Sequence, residues 1–218
     1  QVLSLAPDRI ALFNFAYLPE MIKHQSLIDA AALPTPQVKM DLFELAANRF
    51  LDAGFVFIGM DHFARPEDPL AKAQAAGSLH RNFQGYSTLA GLDLYAFGVS
   101  AISEIGPSYS QNFKELPLYE QSAGAGNIPA MRGIRSTDED ILRREVIMTL
   151  MCNFRLDKAV IAEQFAIDFN EHFSDALTEL TPMAADGLIE LYPDRLQVTP
   201  RGRFLIRNLV MPFDARLA

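Results

Sequence analysis

Phe55-Val56-Phe57-Ile58-Gly59-Met60-Asp61-His62-Phe63-Ala64-Arg65-Pro66 decides how this chain is read. The first six residues are an apolar run of strand length. The next six gather a carboxylate, an imidazole and a guanidinium into a few positions. In α/β proteins ligands sit just beyond the carboxyl ends of strands, so a strand that runs into such a cluster reads as the rim of a site. Upstream, Thr35-Pro36 opens a helix, with Thr as cap and Pro at the first helical position. Val38, Leu42, Leu45 and Ala46 recur at helical spacing as its apolar face, and Gly54 stops it. Before that helix, Ile10-Ala11-Leu12-Phe13-Asn14-Phe15 is a second strand-length apolar run. Strand, helix, strand in this order predicts a βαβ unit and a parallel sheet.

Downstream, residues 69–76 predict a short helix ended by Gly77, and Leu79-His80-Arg81-Asn82-Phe83-Gln84-Gly85-Tyr86 repeats the mixture of cations, amides and aromatics. A third strand is expected over 93–99 and a helix over 111–121. The Gly- and Ala-rich stretch after residue 121 reads as a linker over 122–135. From residue 136 the pattern turns helical. Ser136-Thr137-Asp138-Glu139 fits a capping box, with Ser at the cap and Glu three residues on. Helices near 158–165 and 173–186, an apolar hairpin around Tyr192-Pro193-Asp194-Arg195 and a last helix from Thr199-Pro200 follow. That order is winged-helix-like. The organisation expected is an α/β part over 1–121, the linker, and a mainly helical capping module over 136–218.

Composition narrows the function. Nineteen Lys and Arg against 27 Asp and Glu give a net charge of −8. The helix that would enter a DNA groove carries Glu171, Asp175, Glu179 and Asp186, which phosphates would repel. Nucleic acid is therefore not the expected partner, and Arg201, Arg203 and Arg207 read as a solvated face. Half of the residues are hydrophobic and the mean hydropathy is +0.07, yet no apolar run is long enough to cross a bilayer. The single cysteine, Cys152, lies in an apolar helix and reads as a small core residue in a protein of the reducing cytoplasm. No CxxC, HExxH, G-x-S-x-G or P-loop pattern occurs, and no metal ligands are expected. Gln1 rather than Met opens the chain, which predicts a piece of a longer protein.

Asp61, His62, Arg65, His80 and Arg81 are the candidate binding residues. His62 reads as a proton shuttle, a carboxylate ligand or simply a hydrogen-bonding loop residue. Arg65, His80 and Arg81 read as a cationic pocket for an anionic substrate, or as partners of Glu67 and Asp68. Phe63, Phe83 and Tyr86 line an aromatic ligand or belong to the core.

The blocks Asn14-Phe15-Ala16-Tyr17-Leu18-Pro19, Gly59–Pro66, Leu79–Tyr86 and Gly98-Val99-Ser100-Ala101-Ile102-Ser103 resemble the oxygen-independent coproporphyrinogen III oxidases, radical S-adenosylmethionine enzymes of haem biosynthesis. Thr199-Pro200-Arg201-Gly202-Arg203 and Ile206-Arg207-Asn208 resemble the end of the same proteins, so the likeness covers nearly the whole chain in order. The resemblance implies an incomplete β/α barrel, here the C-terminal part of it over 1–121, whose open mouth a C-terminal helical domain covers. It implies hydrogen abstraction from propionate side chains of coproporphyrinogen III by a 5′-deoxyadenosyl radical. Decarboxylation then leaves a vinyl group, twice over, giving protoporphyrinogen IX. Ala16 and Ile102 match family positions that contact S-adenosylmethionine. Charge complementarity to a tetracarboxylate makes Asp61, His62, Arg65, His80 and Arg81 candidate substrate-binding residues; no catalytic residue is assigned.

This sequence departs from the family at the [4Fe–4S] cluster, which the family holds on a Cys-x3-Cys-x2-Cys loop; one cysteine cannot replace three thiolates. The expectation is therefore the C-terminal portion of such an oxidase, inactive alone and, through exposed strand edges and apolar surface, prone to self-association or to an altered arrangement near the first strand. A rival of another class is a tetrapyrrole carrier or haem chaperone of the same family without its cluster, although the chaperones lack the His-Arg-Asn-Phe-Gln-Gly-Tyr block. A winged-helix regulator is the third reading.

Overall fold

The computed structural model describes residues 1–217. Two compact units divide the chain, Gln1–Ala75 and Ala76–Ala218.

The first unit holds β1 (Arg9–Ala11), α1 (Pro36–Asp52), β2 (Val56–Gly59), β3 (His62–Ala64) and α2 (Pro69–Ala75). Its sheet has the order β1-β3-β2, and both pairings are antiparallel. This corrects the parallel βαβ unit expected from sequence. β1 and β2 do run in the same direction, since each opposes β3, but β3 lies between them. The deciding feature is Met60-Asp61, a two-residue turn with Met60 in the left-handed region at φ 53°. A chain that reverses in two residues pairs with itself, whereas a parallel neighbour needs a crossover of about a dozen.

The core of this unit is aromatic. Phe50 stacks near Phe55 and Phe63 (centroids 6.1 and 5.2 Å), and Phe57 meets Phe63 at 5.1 Å. Thr35 caps α1 and Gly54 turns the chain out of it, as expected. The expected inner face of α1 is nevertheless outward: Val38, Leu42 and Leu45 are exposed, and Ala47 and Phe50 are buried instead. α1 carries two apolar faces, and spacing alone cannot tell which one meets the sheet. The Arg9 guanidinium holds Asp68 at 2.6 Å, and the Leu70 amide donates to the same carboxylate at 2.8 Å. Burial pushes Asp68 up, but these partners outweigh it and hold its pKa below the usual carboxylate value.

The second unit begins with the hairpin β4 (His80–Asn82) and β5 (Gly85–Ser87). β6 (Ile102–Ile105), β7 (Ser108–Asn112) and β8 (Ala130–Arg135) form an antiparallel sheet in that order, with α3 (Leu116–Gly124) between β7 and β8. Residues 130–135, read from sequence as linker, are thus a strand. The strand expected over 93–99 is only a bridge between Leu94 and Glu104. Side chains take over its ladder: Gly106 donates to Asp93 Oδ1 at 2.8 Å and Ala96 to Ser103 Oγ at 3.0 Å.

α4 (Asp138–Asn153), β9 (Arg155–Asp157), α5 (Lys158–Phe165), α6 (Phe169–His172), α7 (Ser174–Ala185), β10 (Ile189–Leu191), β11 (Arg195–Val198) and α8 (Ile206–Val210) complete the unit. β9 joins the hairpin in a sheet of order β10-β11-β9. The capping box of α4 sits one residue later than expected, with Thr137 as cap and Asp140 three residues on. Val146, Leu150, Leu180, Leu196, Leu209 and Phe213 have no exposed surface. Arg203 is not on a solvated face: it lies 4.7 Å over the Phe154 ring, and burial lowers its pKa.

Candidate functional site

The predicted site residues fall in both units. In the first, the β2–β3 turn sets Asp61 beside His62, and the His62 Nδ1–H donates to Asp61 Oδ1 at 2.7 Å. That bond fixes the tautomer, and Phe13 packs edge-on to the ring at 5.9 Å. Arg65 lies 4.4 Å over the Phe55 ring and donates to the Ala53 carbonyl at 3.5 Å. The alternative, a bridge to Glu67 or Asp68, is not seen for Arg65 among the described residues, and Asp68 is held by Arg9. Ala16 lies after β1, outside any helix or strand, and its carbonyl accepts from Gln25 at 3.1 Å.

In the second unit the Leu79–Tyr86 block is the β4–β5 hairpin, with Phe83 and Gln84 at its tip. Asn82 Oδ1 accepts from the Gln84 amide at 2.8 Å, which closes the turn. Arg81 lies across from Tyr86, its guanidinium 5.1 Å from the ring centre. Its Nη1 is buried and makes no hydrogen bond among the described residues. His80, one residue earlier on the strand, points to a different surface.

That surface is a cleft of about 590 Å³, whose polar lining includes His80, Asp93, Glu104, Arg144, Glu145 and Asn153. Arg144 pairs closely with Glu104, which also accepts from the Tyr109 hydroxyl at 3.3 Å. Burial and then the Arg144 charge lower the His80 pKa against the opposing pull of Glu104 and Glu145, which favours the neutral ring. Burial pushes Tyr109 up to about 12. A neutral imidazole beside a fixed ion pair can accept or pass a proton. Sequence reasoning missed Glu104, Arg144 and Glu145. The signal was there: Glu104 is a lone charge between Ser103 and Ile105, and Ile141, Glu145 and Met148 share one face of α4.

Ile102 opens β6 rather than following a strand. It lies on a second, shallower cleft of about 340 Å³ with Phe83, Tyr109 and Arg132. Among the described residues no group of three His, Cys, Asp or Glu could hold a metal ion. Cys152 is buried as expected, and burial pushes its thiol up to about 12.

A family model described as the HemN C-terminal domain matches residues 136–205. An oxygen-independent coproporphyrinogen III oxidase of Thermostichus vulcanus is 49% identical over 218 residues, taking in 100% of this chain and 67% of the relative. The chain belongs to the oxygen-independent coproporphyrinogen III oxidase family. A family member from Escherichia coli (strain K12) is 48% identical over 217 residues, covering 100% of this chain and 48% of its own length. The solved Escherichia coli coproporphyrinogen III oxidase, described as a radical SAM enzyme, matches with a TM-score of 0.95 at 48% identity. That match covers 99% of this chain and 50% of the other. The chain thus spans about half of the Escherichia coli family member and corresponds to the C-terminal portion of the oxidase.

Proposed function

We propose that this chain supplies the substrate-gripping and capping part of an enzyme that oxidatively decarboxylates two propionates of coproporphyrinogen III to give protoporphyrinogen IX. The observation that carries this reading is the 48–49% identity to oxidases of that name across the whole chain. Residues 1–121 are read as the C-terminal part of the barrel and 136–218 as the winged-helix-like cap, in a cytoplasmic protein.

The candidate binding residues suit a tetracarboxylate. Arg65 and Arg81 lie against aromatic faces rather than carboxylates, so their charge is not neutralised by an ion pair among the described residues. The Nη1 of Arg81 makes no hydrogen bond among the described residues, which leaves this guanidinium with an unmet donor. His62, oriented by Asp61, and His80 are each proposed as a hydrogen-bonding partner for a propionate on the surface of its own unit. Ala16 and Ile102 are the residues proposed to contact S-adenosylmethionine, which when bound supplies the hydrogen-abstracting group.

The residues of this chain do not fit an iron–sulfur cluster. Its one thiol is buried and protonated, and three thiolates are required. The 218 residues alone are therefore inactive. The exposed outer face of α1 makes self-association the expected behaviour of the isolated chain.

A chimaera tests the reading. The matching part of the Escherichia coli oxidase is replaced by this chain, and coproporphyrinogen III consumption is followed. Conversion to protoporphyrinogen IX is expected. A chimaera that folds and loads its cluster yet leaves the substrate untouched would overturn it. Iron and sulfide reconstitution of the chain alone should give no [4Fe–4S] absorption or EPR signal.

A further inference from the structure

We propose that Arg132 grips a substrate carboxylate at the shallow cleft on the β6-β7-β8 sheet, a role that rests on the function proposed above. Strand register builds the site. Ile102 pairs with Gln111 and Gln111 with Arg132, so the three side chains lie in one row across the sheet. Glu104, Tyr109 and Ile134 form the next row on the same face.

The charges in these rows differ in one respect. Glu104 is neutralised by Arg144. Arg132 has no carboxylate within 4 Å among the described residues; its Nε and Nη2 instead donate to the neutral Gln111 Oε1 at 2.9 and 2.6 Å. The guanidinium is thus oriented by two bonds while its charge stays uncompensated, and Nη1 remains for a ligand. An arginine held this way on a protein of net charge −8 is a preformed partner for an anion.

The surroundings specify what carries the anion. Phe83, 58% exposed at the hairpin tip, meets Tyr109 edge-on at 5.5 Å and forms an aromatic wall. Ile102 and Ile134 supply an apolar floor. The cleft, about 340 Å³, is open and small, and suits one edge of a flat macrocycle with its propionate. S-adenosylmethionine, proposed above to contact Ile102 at the border of this cleft, also has a carboxylate, but its sulfonium and ammonium make it a net cation, so Arg132 is assigned to the substrate carboxylate rather than to the cofactor's. A tetra-anion gains from the same charge.

Coproporphyrin III, the fluorescent oxidised form of the substrate, is titrated into the 218-residue chain and into Arg132→Gln and Arg132→Lys variants. Its tetramethyl ester serves as the uncharged control, and S-adenosylmethionine is titrated separately. Arg132 lies on an exposed strand, so both variants are expected to keep the parent melting temperature. Arg132→Gln should weaken coproporphyrin binding roughly tenfold, with partial recovery in Arg132→Lys and no effect on the ester. Equal coproporphyrin affinity in parent and Arg132→Gln would overturn the assignment while leaving the proposed function standing. So would a loss confined to S-adenosylmethionine, which would place the cofactor's carboxylate there instead. A parent chain that binds no porphyrin at all would count against the wider function, and Arg132 would fall with it.

Discussion

The two units handle apolar side chains in opposite ways. In Ala76–Ala218, α4 buries Leu142, Val146, Leu150 and Cys152, and Val146 and Leu150 have no exposed surface. In Gln1–Ala75, α1 has two stripes, and the one with Val38, Leu42 and Leu45 faces outward. The phenylalanine cluster beneath α1 is a complete small core, but it uses only the other stripe. The difference teaches that apolar periodicity identifies a helix more securely than it identifies what the helix packs against. It also predicts that the second unit owes its stability to internal packing, whereas α1 contributes an adhesive surface.

The sharpest way to break this contrast is to truncate one leucine from each stripe. Leu150→Ala removes a fully enclosed side chain and should cost about 3–4 kcal/mol in urea unfolding. Leu42→Ala, at a position 55% exposed, should stay within about 0.5 kcal/mol. Equal losses would mean that the outer stripe of α1 is covered in solution.

The ion pair at the large cleft comes next. Arg144→Ala leaves Glu104 largely enclosed without its cation and should cost roughly 2–3 kcal/mol, less than a fully buried pair because Arg144 is partly exposed. Replacing Glu104 by Gln and Arg144 by Met together should recover much of that loss.

Acid has a smaller effect and weakens both units. Asp140 in the α4 capping box is held at about 2 by the Thr137 amide, Arg216 and the Thr137 hydroxyl, against 3.8 when free. A depressed carboxylate stabilises above its unfolded value and loses that contribution as pH falls through the folded one. The gap in unfolding midpoint between parent and Asp140→Asn should therefore be constant above about pH 5 and close towards pH 2. Asp68, lowered by Arg9 in the first unit, should respond with the same sign.

The smallest effect on folding concerns association. Leu42→Glu with Leu45→Lys should leave the unfolding midpoint nearly unchanged and shift sedimentation towards the monomer. Unaltered association in this variant would move the adhesive surface elsewhere.

Local features were legible in the sequence where one residue forces them. Thr35-Pro36 starts α1, Gly77 follows α2, Cys152 is core, and Tyr192–Arg195 turns a hairpin. The antiparallel first sheet was not, because a strand-length apolar run looks alike in either direction and the reversal depends on Met60 adopting φ 53°. The candidate site divides in the same way. His62, Arg65, His80 and Arg81 stood out as unusual loop chemistry, whereas Glu104, Arg132 and Arg144 acquire meaning only from partners that are 40, 21 and 40 residues away in sequence.

The linear chain by itself determined membership of an oxidase family, the acidic charge, the absence of a thiolate triad and the placement of helix caps, since each depends on residue identity or on neighbours a few positions apart. Only the tertiary structure decided strand direction, which stripe of α1 is inward, and which arginines keep an unpaired charge. Those outcomes turn on long-range pairing, where a carboxylate, an amide or an aromatic ring reached through the fold fixes what a guanidinium is left to bind.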